Sequence, residues 1–204
     1  MKIIEYPNLA IQHLEITLPK SLGEIASPTW LTQMLDLRSD VPIETAKWVK
    51  EAVRDLLRHH GYKPKGRGKP SSEYLRGAAT SASLNSINAA VDCGNVASLH
   101  SGLPISIIDN DLLCGTARID VPEKGTSYIF NRSGQTIDVG GLLSLFDDDG
   151  PCANAVKDSQ RTKTSDESRQ LVAIVWAPIS PESTTDDYAR RTCKWLADLF
   201  AQLQ

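Results

Sequence analysis

Residues 86–98 (Ser-Ile-Asn-Ala-Ala-Val-Asp-Cys-Gly-Asn-Val-Ala-Ser) constrain this chain most. Asn88, Asp92 and Asn95 fall at i, i+4 and i+7 and so share one face of a helix, while almost every other position is small or apolar. A helix that is apolar nearly all round belongs inside a fold, and its small residues let neighbours approach closely. The rest of the chain must therefore supply layers that cover it. With 204 residues, 41% of them hydrophobic, the chain is long enough to bury one full core, so one domain over residues 1–204 is the expectation. The polar stripe then either enters a buried hydrogen-bond network or lines a wet cavity, because an unpaired buried amide or carboxylate costs roughly 1–3 kcal/mol.

The covering elements are legible in outline. Leu14, Ile16 and Leu18 alternate with polar residues, the period of a half-buried strand. A short helix begins near Ser27, and Asp40 is the expected cap of a longer one over residues 42–58, with Ala46, Val49, Val53 and Leu56 as its apolar stripe. Ser71 opens another short helix. After Gly102 the chain turns to strands, near residues 103–108, 117–121, 128–130 and 142–146; the apolar run 171–177 reads as a central strand covered on both faces. Thr184 and Asp187 resemble the cap of a terminal helix whose packed side carries Tyr188, Trp195, Leu199 and Leu203. Helices first, strands later and a closing helix predict an α+β fold rather than an alternating parallel sheet.

Two stretches stand apart from this periodicity. Residues 150–164 lead into a run with no apolar side chain from Lys157 to Gln170, which reads as a loop, either mobile and solvated or carrying a task. Between Arg58 and Lys69 lie Lys63, Lys65 and Arg67 with His59 and His60 and no acid, interrupted by glycine and proline. On a chain of net charge −3 this basic loop is a local feature, a solvated connector or a phosphate contact, and not a general attraction to nucleic acid.

Several classes are disfavoured. Cys93, Cys114, Cys152 and Cys193 form no Cys-x-x-Cys pair and the four histidines no helical zinc pair, so no structural zinc site is expected. The apolar runs are too short to span a bilayer and the first residues lack a secretory pattern, so a cytoplasmic chain is expected.

Five phrases in order then carry a resemblance: Lys69-Pro-Ser-Ser-Glu-Tyr-Leu75, the 86–99 segment, Ser101-Gly-Leu-Pro-Ile105, Asp109-Asn-Asp-Leu112, and Lys157-Asp-Ser-Gln-Arg-Thr-Lys163. Over about residues 42–178 the chain resembles the editing module, the third-and-fourth domain unit, of the bacterial phenylalanyl-tRNA synthetase beta subunit, especially its free-standing relatives. The resemblance implies a three-layer α+β fold with a mostly buried central sheet and flanking helices, the N- and C-terminal elements packing on it. It also implies a pocket that accepts the aminoacylated end of a tRNA and hydrolyses a wrong amino acid from it. Where the synthetase strand reads Pro-Leu-His-Ala-Phe-Asp, this chain reads Pro104-Ile-Ser-Ile-Ile-Asp109, with Ser106 in the histidine's place; the acidic residue of the synthetase's Gly-Gly-Glu turn falls near Lys157 and Asp158.

An aminoacyl-tRNA ester is already activated, so a placed water and stabilisation of the oxyanion supply much of the rate gain, and no catalytic triad is needed. The resulting expectation is a trans-acting aminoacyl-tRNA deacylase with Asp92 and Asp158 as catalytic carboxylates. Asn88, Asn95, Ser106, Asp109, Ser159 and Arg161 would line the substrate pocket, and Lys63, Lys65, Arg67, Lys69, Lys157 and Lys163 would contact RNA. Its partner would be aminoacylated tRNA, with no cofactor, membrane, DNA or obligate protein partner implied. Three alternatives remain open: a catalytically inactive RNA- or small-ligand-binding module on the same fold, a thiol hydrolase using Cys93 or Cys152 with His100, and metal chemistry at Asp147, Asp148 and Asp149.

Overall fold

The computed structural model of the chain describes residues 1–180 and 187–203. Its strands are β1 (Lys2–Ile3), β2 (Gln12–Thr17), β3 (Ile105–Asp109), β4 (Arg118–Asp120), β5 (Ser127–Ile129), β6 (Thr136–Asp138), β7 (Ser144–Asp147), β8 (Gly150–Asn154) and β9 (Gln170–Val175). Its α-helices are α1 (Thr29–Gln33), α2 (Val49–Arg58), α3 (Ser71–Thr80), α4 (Ala89–Ser101) and α5 (Asp187–Ala201). The fold is α+β, as the order of elements predicts. The Thr184 cap expected before α5 lies outside the described residues.

Three layers are present. An antiparallel three-stranded sheet in the order β2-β9-β3 forms the middle. One face of it, with Ile16, Ile105, Ile107, Leu171, Ala173 and Val175, packs against α4 and α5 and shares their core with Ala90, Cys93, Val96, Trp195 and Leu199. The other face, with Ile108, Val172, Ile174 and Trp176, packs on a four-stranded sheet in the order β1-β4-β7-β8, through Ile119, Leu143, Leu145 and Ala153. β9 is thus buried on both faces, which is why its six residues are apolar almost without interruption. A small hairpin, β5-β6, stands beside these layers.

α4 is the buried helix that its composition demands. Eleven of its residues are buried, and it packs against α1, α3, α5 and β3. Gly94 is needed at this contact, since a Cβ there would lie 2.6 Å from Ile107 Cγ1. Gly102, at φ 76°, ends the helix in the left-handed conformation, and its N–H donates to Ser98 O. Among the described residues, no helix is long and apolar enough to cross a membrane.

Three expectations need correction. The helix expected over 42–58 begins at Val49, because the preceding segment is held from elsewhere: the Tyr188 hydroxyl donates to Glu44 O, and the Thr45 hydroxyl accepts from Arg76 and donates to His100 O. Residues 150–154, read as loop, form β8; a register shift at Leu145/Phe146 hides the alternation, and Pro151 is tolerated because β8 is an edge strand. The apolar-free run after Lys157 is largely drawn inward. Ser159, Thr162 and Ser168 are buried, and their hydroxyls serve the local backbone or, for Ser168, Asp109.

Candidate functional site: a basic hollow beside a half-buried carboxyl

The basic loop between α2 and α3 is anchored at both ends. Gly141 sits against it, since a Cβ there would lie 2.5 Å from His60 O, and Tyr62 Oη donates to Gly68 O at 3.2 Å. Held in this way, Lys63, Lys65 and Arg67 face the β5-β6 hairpin across an open hollow of about 820 Å³. Tyr62, Phe130, Gln135, Asp138 and Lys157 complete much of its wall. Lys157 lies under the influence of Arg67: burial first, and then that guanidinium, pushes its ammonium below the usual lysine value. Like charges held this close favour an anion between them.

Behind Lys157 lies a network of polar groups. Asp158 Oδ1 accepts from the Ser106 hydroxyl at 2.7 Å and from the Asn154 N–H at 3.1 Å. The Ser106 oxygen in turn accepts from Trp176 Nε1 at 2.9 Å. Asn154 Nδ2 contacts the Tyr128 hydroxyl, which donates to Lys157 O at 2.5 Å, and Asn154 Oδ1 receives the N–H groups of Val156 and Lys157. Burial raises Asp158 to about 6, against the opposing pull of Ser106, the Asn154 N–H and Lys163. No buried side-chain polar atom among the described residues lacks a partner, so Asp158 Oδ2, which takes no hydrogen bond, is an oxygen that solvent reaches. An ionisable carboxyl with one oxygen fixed and the other open has the form of a general base.

Of the residues expected to share one site, Ser106 and Asp158 are in contact, and Lys63, Lys65, Arg67 and Lys157 line the hollow. The polar stripe of the buried helix does not join them. Asn88 is the N-cap of α4 and not a face position: its Oδ1 accepts from the Val91 N–H, and its amide reaches Thr164 Oγ1 at 3.4 Å. Asp92 is fully buried and accepts from the Ser27 hydroxyl at 2.5 Å, from the Ile87 N–H at 2.9 Å and from the Ser86 hydroxyl. It ties the start of α4 to the segment before α1. Asn95 is half-buried and makes no such link. Because α4 packs on the Ile107 face of β3 and Ser106 points to the opposite face, the middle sheet stands between Asp92 and Asp158.

Other expected pocket residues are spent on internal partners. Arg161 clamps both oxygens of Asp147, at 2.7 and 2.8 Å, and Asp147 has a fully buried side chain. Burial opposes ionisation of Asp147, but the Arg161 bonds and the N–H groups of Cys114 and Asp149 outweigh it and hold the carboxyl below its ordinary value. Asp109 accepts from Ser168 and from the Asp111 N–H, and Ser159 caps the turn beginning at Gln160. Lys163 is turned inward, its Nζ donating to Phe130 O at 2.5 Å, and Lys69 covers the Tyr74 ring, 4.3 Å from its centroid. Burial pushes the Cys93 and Cys152 thiols to about 12, so they stay protonated at neutral pH and make poor nucleophiles. In the acidic turn, Cys114, Asp147 and Asp149 approach one another, but Arg161 already occupies both Asp147 oxygens.

Tyr62, Tyr128, Phe130, Asn154 and Trp176 are site residues that the sequence reading missed. Their only signal is local: Tyr128 and Phe130 both precede the turn before β6, and an aromatic beside a turn is as easily core as site.

Fold and site together define an α+β module with a cationic hollow next to a half-buried carboxyl. The chain belongs to the B3/4 domain family, whose model matches residues 52–191, from α2 into α5. Among solved structures it is similar to an N-terminal fragment of the phenylalanyl-tRNA synthetase beta-subunit from Pyrococcus horikoshii, at 12% identity and a TM-score of 0.45. That match covers 55% of this chain and 39% of the fragment, so it spans well under two thirds of the fragment's length. No curated protein matches the chain.

Proposed function

We propose that the chain binds the aminoacylated end of a tRNA in the basic hollow and hydrolyses the ester of mischarged tRNA in trans. The observation that carries this reading is the convergence of Lys63, Lys65, Arg67 and Lys157 on one open hollow, with Asp158 adjoining Lys157. Four cations in an open, partly aromatic wall suit a single strand, which is held by backbone contacts and stacking rather than by groove reading.

Asp158 is the general base of this mechanism. Ser106 and the Asn154 N–H hold Oδ1, leaving Oδ2 to take a proton from water as the water oxygen attacks the ester carbonyl. With a pKa of about 6 the group is mostly ionised at neutral pH and more basic than an ordinary aspartate. As the tetrahedral intermediate collapses, the bond to the ribose oxygen breaks and the proton passes from Asp158 to that oxygen, releasing the amino acid and the tRNA. Asp92, sealed behind the middle sheet, anchors α4 in this reading and does not touch substrate.

The decisive experiment incubates the chain and its Asp158→Asn variant with a panel of mischarged tRNAs and follows ester loss against buffer. Ester loss above buffer for at least one tRNA, falling about 100-fold or more in the variant, is the expected result. One observation favours a binding-only module instead: Asp92 and Arg161 are both spent internally. Salt-sensitive tRNA binding with no ester loss would select it.

A further inference from the structure

We propose that Phe130 is a stacking subsite for one base of a single-stranded RNA, covered in the free protein by the Lys157 ammonium. This inference rests on the reading that the hollow takes the end of a tRNA, and deepens it by naming what holds the base.

Phe130 directly follows the first strand of the β5-β6 hairpin and lies on the hollow's wall with Lys63, Lys65 and Arg67. Its backbone is fixed from two sides. The N–H donates to Gln135 O at 3.0 Å across the turn, and the carbonyl accepts from Lys163 Nζ at 2.5 Å, so the inward-facing lysine positions the hairpin. The ring is only half-buried, and Lys157 Nζ sits 4.1 Å from its centroid. A π-face held this firmly among cations matches both parts of a nucleotide, the base to the ring and the phosphates to the ammonium and guanidinium groups.

The Lys157 contact gives the subsite a resting state. A cation over a partly exposed ring is bound weakly, so an incoming base displaces it, and the freed ammonium meets phosphate on the same strand. Every base offers a π-face, so the subsite accepts bases with little sequence preference. An apolar amino-acid side chain would fit this wall poorly, because the surroundings of the ring are charged.

The test compares a five-nucleotide RNA with a sugar–phosphate strand of the same length and charge but no bases, by fluorescence titration at low salt. The wild-type chain is expected to bind the RNA roughly 5- to 100-fold more tightly than the abasic strand. Phe130→Leu keeps an apolar side chain without a π-face; it should abolish that difference. Phe130→Trp should retain the difference. Equal wild-type binding of the two strands would overturn stacking while leaving the hollow as a phosphate site. A base preference that survives in Phe130→Leu would overturn the assignment to this residue. Binding of neither strand would overturn the reading beneath it as well.

Discussion

The Ser106 hydroxyl donates to Asp158 Oδ1 at 2.7 Å across a sequence separation of 52 residues. Ser106 is fixed in turn by the indole of Trp176 on the segment following β9, so β3, β9 and the loop after β8 meet at one carboxyl. One oxygen is committed to the fold and the other is left to solvent. That division gives a structural residue the geometry of a base.

Titration of Asp158 should appear in both activity and stability. Deacylation is expected to rise with pH through about 6, as the carboxyl ionises, and Asp158→Asn should remove that limb of the profile. The folded value of about 6 lies above the ordinary 3.8, so the folded chain holds this proton more tightly than the unfolded one. The resulting stability is fully present below the unfolded value and is lost as pH rises through the folded one. A permanently neutral asparagine keeps it. Asp158→Asn should therefore raise Tm at pH 7 by about 6–12 °C, the shift expected of roughly 3 kcal/mol in a domain of this size, and by much less at pH 4; thermal melts at the two pH values check this.

Affinity for RNA should depend on salt through four cations. If Lys63, Lys65, Arg67 and Lys157 each meet a phosphate, log Kd plotted against log salt should have a slope of about 3, from roughly 0.7 per contact for single strands. Lys65→Gln should lower the slope by about 0.7. Lys69→Gln, whose side chain covers Tyr74, should leave it unchanged.

Asp92→Ala should destabilise the chain without touching the chemistry. It leaves Ser27, Ser86 and the Ile87 N–H without their shared acceptor; Ser86 and Ile87 are exposed enough to bond water instead, so the expected loss is about 1–3 kcal/mol by denaturant titration. Below the unfolding transition the deacylation rate per folded molecule should match the wild type. A fall of 100-fold there would return Asp92 to the mechanism.

Breaking the Arg161 clamp should cost more than removing it whole. Arg161→Met strands a buried Asp147 charge and should lose about 3 kcal/mol, whereas the double variant with Asp147→Asn should recover a good part of it. A double-mutant cycle in urea measures the coupling.

Gly94→Ala adds a methyl 2.6 Å from Ile107 Cγ1 at the contact between α4 and β3. The gain in helix propensity, about 1 kcal/mol, should be exceeded by strain of about 1–3 kcal/mol, for a net loss in urea titration.

How far a feature could be read depended on whether its cause was local. The burial of α4, the double-faced β9 and the cationic loop follow from composition and spacing within one segment, and all three are present. The start of α2 was misplaced because partners distant in sequence hold the segment around residues 44 and 45: Tyr188 bonds the Glu44 carbonyl, and Arg76 and the His100 carbonyl bond the Thr45 hydroxyl. β8 was missed because a bulge and an edge proline erase the period-two signal.

The candidate site divides in the same way. Asn88, Asp92 and Asn95 look alike at helical spacing, yet one is a cap, one an anchor and one half-exposed, because a hydrogen-bonding side chain takes its role from whatever stands opposite. Charge density and hydrophobic period are properties of neighbours along the chain, so the amino-acid order alone determined the α+β character, the buried helix and the basic loop. Which carboxyl would sit beside that loop, and which would be sealed behind a sheet, depended on contacts between segments dozens of residues apart. Only the folded arrangement, by putting Ser106 on one face of β3 and Ile107 on the other, decided it.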